Sequence, residues 1–220
     1  MIAELKKRMD EEGIDIFGAS DLHGLLPERF SATPYAITLG VRLSSNVMDE
    51  VKAGPTYRYF HHYRTVNAFL DQCALKSVIL LQRVGYAACA IPASQSTSES
   101  GFEGDFPHKT AANMAGLGFI GRSALFVSKD FGPRVRLATV LTDMELESGA
   151  ILSPQCGNCR ACVAACPCGA ITGEIWSKEK PREALVDAAL CSRWMKTKYQ
   201  HIGRGAVCGI CAAACPFGRQ

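Results

Sequence analysis

The chain has 220 residues, 48% of them apolar, and a formal charge of +3. That length allows one substantial core plus a small appended module, and no apolar run approaches the ~20 residues a membrane-spanning helix needs. The charge is unevenly placed: from Ile151 onward nine Lys and Arg face four Asp and Glu, against fifteen and seventeen before it.

The opening, Met1-Ile-Ala-Glu-Leu-Lys-Lys-Arg, reads as an amphipathic helix rather than a charged stub before an apolar run. No secretory leader is therefore expected, and the expected compartment is the reducing cytoplasm. Ile2, Leu5 and Met9 mark the buried stripe of this helix and Gly13 its stop. Strands are expected over 14–18 and 35–43, the second dense in β-branched residues. From Pro55 a long helix follows, with Tyr63, Val66, Leu70, Cys73, Ser77, Leu80 and Val84 as its buried face and Gly85 as its end. It is too short on its own for a coiled coil. Next come a strand over 86–91, a Ser- and Gly-rich loop over 93–104, and a short helix from Pro107 to about Ala115. Strands over 124–127 and 135–141 complete a layered α/β or α+β domain of residues 1–150. A compact cysteine-rich domain takes up 151–220.

Between the short helix and the next strand, Gly116-Leu-Gly118-Phe-Ile-Gly121 fits the G-x-G-x-x-G pattern. A dinucleotide loop needs that pattern after a strand and at the opening of a helix, and here the order is reversed. The three glycines still mark a close backbone approach, either to a flat cofactor or to the protein's own strands and helices.

Nine of the eleven cysteines lie in the tail, and eight of them are read as cluster ligands. Cys156-x2-Cys159-x2-Cys162-x3-Cys166-Pro167 is the run of bacterial two-cluster ferredoxins, whose fourth cysteine serves the other cluster. Cys208-x2-Cys211-x3-Cys215-Pro216 repeats its second half, as an internal duplication does. Two-residue gaps let one loop aim three thiolates at three irons, and the cysteine three residues on is carried elsewhere. The first [4Fe-4S] cluster is thus assigned Cys156, Cys159, Cys162 and Cys215, and the second Cys166, Cys191, Cys208 and Cys211. Cys191 fills the place left by the missing leading cysteine of the second run. Zinc suits a triple run with Cys-Pro poorly, because its structural sites want two pairs. Cys73, Cys89 and Cys168 are read as small apolar core residues, although Cys168 lies close to Cys166.

Thiolate clusters are net negative, so the basic tail is first of all a counter-charged shell, and second a face for tRNA or another polyanion, with Arg193, Lys196, Lys198 and Arg204 as its cations. His61 and His62 are adjacent on a helix and point to different faces. His108, beside the glycine loop, is a polar contact to a cofactor or a proton donor.

The glycine motif followed by Arg122, then Gly132, Leu141-Thr-Asp143, Cys156-Gly-Asn-Cys159-Arg-Ala-Cys162 and Ala165-Cys166-Pro167, together resemble the epoxyqueuosine reductases, a family that shares its core with the reductive dehalogenases. The resemblance is specific from about His108 to Pro216. It implies a nitroreductase-like layered domain holding base-off cobalamin against a ferredoxin-like module with two [4Fe-4S] clusters. Gly116, Gly118 and Gly121 would lie against the corrin or its tail, and electrons would run through the clusters to cobalt. The implied partners are an electron donor such as a ferredoxin or flavodoxin and a small-molecule or nucleotide-linked substrate, with tRNA in view and no membrane.

The sequence departs from the family in three places. The segment that carries a proton-donating carboxylate in the family reads Ile91-Pro-Ala-Ser-Gln95 here, leaving Glu103 and Asp105 as the nearest substitutes. No counterpart of the family's C-terminal helical repeats, and no twin-arginine leader, is expected. The missing acid supports a rival reading as a non-catalytic electron carrier or activator of a partner such as a corrinoid protein. A full-sized domain with a glycine loop supports the reductase.

Overall fold

A computed structural model describes residues 1–94, 96–97, 102–203 and 207–218. Gln95, much of the 93–104 loop and Arg204 therefore lie outside the described residues. The helices are α1 (Ile2–Glu12), α2 (Ser45–Asp49), α3 (Tyr57–Arg83), α4 (His108–Met114), α5 (Ala161–Ala165), α6 (Ala188–Tyr199) and α7 (Ile210–Ala214). The strands are β1 (Ile16–Asp21), β2 (Tyr35–Arg42), β3 (Ala88–Ile91), β4 (Gly118–Ile120), β5 (Phe126–Ser128) and β6 (Val135–Thr142). The fold is mixed α/β.

The chain forms two compact units that are interleaved in sequence. The first comprises Met1–Arg42, Thr65–Leu117 and Arg136–Leu152. The second comprises Leu43–Arg64, Gly118–Val135 and Ser153–Gln220. The second unit thus takes in two stretches ahead of the tail, where the sequence reading drew a single boundary at 150.

In the first unit a four-stranded sheet has the order β1-β2-β6-β3. β1 pairs antiparallel with β2, placing Ile16 opposite Gly40, and β3 pairs antiparallel with β6, placing Ala88 opposite Thr142. Leu22, Ala36, Ile91, Phe106, Ala111 and Leu141 form a buried cluster, with Cys89 packed on its edge. Gly13, Gly85 and Gly116 end α1, α3 and α4 in the same way. Each is left-handed, with φ of 95°, 94° and 69°. In each case its N–H bonds back three residues while the next N–H bonds back five: Ile14 to Met9, Tyr86 to Leu81, Leu117 to Ala112. This is the double bond that closes a helix on a glycine.

The buried face of α3 differs from the one expected. Val66, Leu70, Cys73, Ala74, Ser77, Val78 and Leu81 are buried, while Val84 is 50% exposed. An alternating three-four reading imposes a 3.5-residue repeat, and a straight helix of 3.6 drifts about 20° per heptad away from it. By the end of α3 the drift has replaced Leu80 and Val84 with Leu81.

His108 joins three pieces of the first unit. Its Nδ1 is 2.9 Å from Thr139 Oγ1 and its Nε2 is 2.9 Å from the Pro92 carbonyl. A carbonyl only accepts, so Nε2 carries the proton and Nδ1 accepts from the threonine hydroxyl. Burial, aided by the charge of Arg136 and opposed by the Pro92 bond and Asp71, lowers the pKa to about 4. The unfolded imidazole binds a proton near pH 6.5, so the stabilisation is full above that value and is lost as pH falls toward 4. A His108→Gln variant is expected to lose less stability than the parent between pH 6.5 and 4. The difference, about 2 kcal/mol after allowance for partial exposure, is measurable by denaturant titration at the two pH values.

Candidate iron–sulfur centres

The second unit gathers the tail cysteines by local hydrogen bonds. Cys159 N–H bonds to the Cys156 carbonyl at 2.9 Å, closing the first loop, and α5 starts just before Cys162. At Cys166 the helix has ended in extended backbone, ahead of Pro167. α7 repeats this from Ile210 to Ala214 and ends in extended backbone at Cys215. Cys156, Cys159, Cys162 and Cys215 line one hollow, together with Gly121, Arg122, Ser123, Val127, Pro216 and Phe217.

A second gathering involves Cys166, Cys168, Cys191, Cys208 and Cys211. Cys191 reaches it by a route the sequence does not advertise. Ile171 and Val186 form an isolated antiparallel bridge, Thr172 N–H bonds to the Leu185 carbonyl, and Asp187 N–H bonds to the Ala170 carbonyl. The Asp187 carboxylate then caps α6 by accepting from Leu190 N–H at 2.8 Å. Cys191 is thereby fixed in the first turn of α6, beside the chain that follows Cys166.

Electrostatics reflect how closely these thiols are crowded. Burial pushes Cys215 up to about 11, with further upward pressure from Cys156, Cys162 and Cys159. Burial also pushes Cys191 up to about 11, and the charges of Cys168, Cys208 and Cys166 add to it. Cys211 is pushed up to about 12 by burial, with Cys208 and Cys191 the leading charges. Thiols so crowded resist ionising together unless cationic metal stands among them, so loading metal here must release protons. Cys166 goes the other way. Burial raises it, but N–H groups of Cys168, Ala170 and Ile171 and the Cys168 side chain outweigh that and lower it. Such N–H contacts to sulfur are a recognised means of tuning cluster potential.

Cys168 is not the core residue expected from its composition class. Its sulfur lies 3.8 Å from that of Cys166, and the charges of both act on Cys191. Cys73 is fully buried and Cys89 half-buried, as small apolar residues are.

The glycine motif is explained by close approaches within the protein. Gly116 is the helix stop already described, and a Cβ there would sit 2.6 Å from the Ala150 carbonyl oxygen. At Gly118 a Cβ would lie 2.1 Å from the Val127 carbonyl oxygen of the facing strand. Gly121 lets the hairpin approach the hollow, since its Cβ would stand 3.0 Å from Val127 and 3.6 Å from Cys156 Sγ. β4 itself went unforeseen, and the strand expected at Ala124 starts at Phe126, because Ala124 takes φ of 58° in the turn.

Arg122 has a role the sequence reading overlooked. Its guanidinium donates to the Gly157 carbonyl at 2.6 Å and to the Gly173 carbonyl, holding the Cys156–Cys159 loop and placing a cation beside the first hollow. No sequence signal marks this role, because Gly157 and Gly173 lie 35 and 51 residues further along the chain.

Residues 155–218 match the family described as a 4Fe-4S double cluster binding domain. The cofactors of this module are two [4Fe-4S] clusters. Epoxyqueuosine reductase of Listeria monocytogenes is 29% identical over 118 residues, which is 53% of this chain and 31% of that protein. Tetrachloroethene reductive dehalogenase of Desulfitobacterium hafniense is 24% identical over 98% of this chain and 39% of its own length. The chain is similar in sequence to members of both enzyme families. It spans about a third of the length of these curated relatives. Among solved structures, the catabolic reductive dehalogenase NpRdhA with 3-bromo-4-hydroxybenzoic acid has a TM-score of 0.76 at 21% identity, over 98% of this chain and 31% of its own. An epoxyqueuosine reductase with a tRNA-Tyr stem loop has a TM-score of 0.64 at 15% identity, over 97% and 64%. Both likenesses are of fold.

Of the weaker site residues, Asp105 pairs with Arg29 at 2.7 Å, and the Glu103 carbonyl accepts from Thr97 N–H at 2.9 Å. On α6, Arg193, Lys196 and Lys198 are exposed, with the Lys198 ammonium 5.4 Å from the Trp194 ring centre. Among the described residues no helix is long and apolar enough to cross a membrane.

Proposed function

We propose that this chain is a cytoplasmic, oxygen-sensitive iron–sulfur reductase in which two [4Fe-4S] clusters feed electrons to a base-off cobalamin. The observation that carries this reading is the exchange of ligands between the runs. Cys215 of the second run lines the hollow of Cys156, Cys159 and Cys162, and Cys166 of the first stands with Cys191, Cys208 and Cys211. Exchanged ligands tie both clusters into one compact relay, as in two-cluster ferredoxins.

Cobalamin, when bound, supplies a strongly reducing cobalt centre, and the protein's part is to hold and insulate it. The residues of the second unit suit such an acceptor. A cavity of about 500 Å³ is lined by Met48, Val51, Ala165, Ile210, Ala213 and Ala214, with Asp49, Lys52 and Arg134. Ala165, Ile210 and Ala214 each precede a cluster cysteine, so whatever fills this space adjoins the relay. Arg134 is buried and pairs with Asp49 at 2.8 Å, which keeps the apolar wall from holding an unpaired charge. A cavity of that size takes a drug-sized molecule, so a corrinoid would enter it only in part. The nitroreductase-like character of the first unit belongs to the same proposal; of the three glycines, Gly121 lines the first hollow, whereas Gly116 and Gly118 face the protein's own backbone.

The substrate is a small or nucleotide-linked molecule reduced at that centre. A ferredoxin or flavodoxin supplies the electrons, and the exposed cations of α6 form a surface for a tRNA-borne substrate. A carrier that reduces a partner protein is the second reading. It is favoured by the proton donors: His108 is bonded at both ring nitrogens and Asp105 is ion-paired.

Anaerobic titration with cob(II)alamin, followed by EPR, separates the two. A base-off Co(II) spectrum at micromolar corrinoid, converted to Co(I) by dithionite, is the expected result. A spectrum that stays that of free cobalamin would move the assignment to the carrier.

A further inference from the structure

The second centre has more thiols than a cubane has corners. A [4Fe-4S] cluster takes one thiolate per iron, four in all. Cys191, Cys208 and Cys211 are assigned three of these places, and two thiols, those of Cys166 and Cys168, lie near enough for their charge to act on Cys191 and Cys208.

Their separation of 3.8 Å is informative. With metal–sulfur bonds of about 2.3 Å and tetrahedral angles, two thiolates aimed at one metal stand about 3.8 Å apart. Thiolates on different irons of a cubane are farther apart than this. The backbone sets the spacing: Gly169 N–H closes a turn onto the Cys166 carbonyl at 3.2 Å, and Gly169 takes φ of 67°. Pro167 fixes φ between the two cysteines. The turn puts residues two apart on one side, as the sulfur separation shows.

We propose that Cys166 and Cys168 are interchangeable ligands of one iron of the second cluster, so that the cluster can pass from one thiol to the other without leaving the protein. In the exchange one iron–sulfur bond forms as the other breaks, the proton of the incoming thiol passes to the departing thiolate, and no electron moves. Loss of either thiol, by oxidation or substitution, then leaves the cluster with four ligands.

The inference rests on the assignment of a second cluster to these cysteines, and iron counting separates the two ideas. After anaerobic reconstitution, the native chain, Cys166→Ala and Cys168→Ala are each expected to hold about eight irons, and the double variant about four, with one EPR signal lost after dithionite reduction. About four irons in the native chain would overturn the cluster assignment itself. Eight in the native chain with four in either single variant would overturn the exchange alone. If Cys166→Ala fails to fold by circular dichroism, anaerobic iodoacetamide labelling of the native loaded chain decides. Label divided between Cys166 and Cys168 supports exchange, and label confined to Cys168 refutes it.

Discussion

A Cys156→Ala, Cys215→Ala double variant is expected to retain about four irons after anaerobic reconstitution, the same as either single variant. The two residues belong to different runs, yet their side chains line one hollow with Cys159 and Cys162. If each run instead enclosed its own cluster, the double variant would hold almost none. EPR adds a second criterion, because the surviving signal must be the same in all three variants. The expectation follows from where α7 ends. Its last turn delivers Cys215 in extended backbone, and Pro216 fixes φ there, so the sulfur cannot turn back toward Cys211 without breaking the segment. Loss of one cluster removes four thiolate-bound irons, so the variants are also expected to unfold at lower denaturant than the loaded parent.

The second large effect is expected at Gly132. Its φ is 57°, and a Cβ there would stand 2.1 Å from the Phe217 carbonyl oxygen. Gly218 mirrors it with φ of 73° and a Cβ that would stand 2.1 Å from the Phe131 carbonyl. Two left-handed glycines thus let the turn after β5 lie against the segment after Cys215. Phe119 and Phe217 continue the contact edge to face, with centroids 5.4 Å apart. Gly132→Ala is expected to cost about 3 kcal/mol, since the left-handed conformation accounts for about 1–2 and backbone displacement for the rest. Phe217 is two residues from Cys215, so the first cluster should also be lost faster to a chelator. Gly85→Ala is the control: φ is 94° but nothing lies within 4 Å of the new Cβ. It should cost only the conformational part and leave chelation rates unchanged. Equal chelation rates in the two variants would show that the turn does not support the cluster loop.

Much of the site was legible because cluster ligation is written in short-range spacing. Three thiolates on two-residue gaps are placed by one loop, and loop geometry is local. Helix ends were equally legible at Gly13 and Gly85, because a left-handed stop is a one-residue property. The buried face of α3 was read correctly from Val66 to Ser77 and then slipped, because a 3.5-residue template accumulates error along a helix of 27 residues. The helix expected before the glycine motif is there, as α4. What the glycines approach required coordinates: Ala150, Val127 and Cys156 come from three separate stretches.

By itself the sequence determined that this protein binds two [4Fe-4S] clusters, and it pointed to relatives among corrinoid reductases, because ligand identity and spacing are chemical constraints carried by consecutive residues. Tertiary structure alone decided that Leu43–Arg64 and Gly118–Val135 pack with the tail, that Arg122 secures the first cluster loop, and that Cys168 stands beside Cys166 instead of in a core. Those outcomes depend on carbonyl contacts, glycine clearances and a single β-bridge between residues far apart in the chain. Burial free energy is nearly indifferent to which distant segments meet, so no local pattern records the choice.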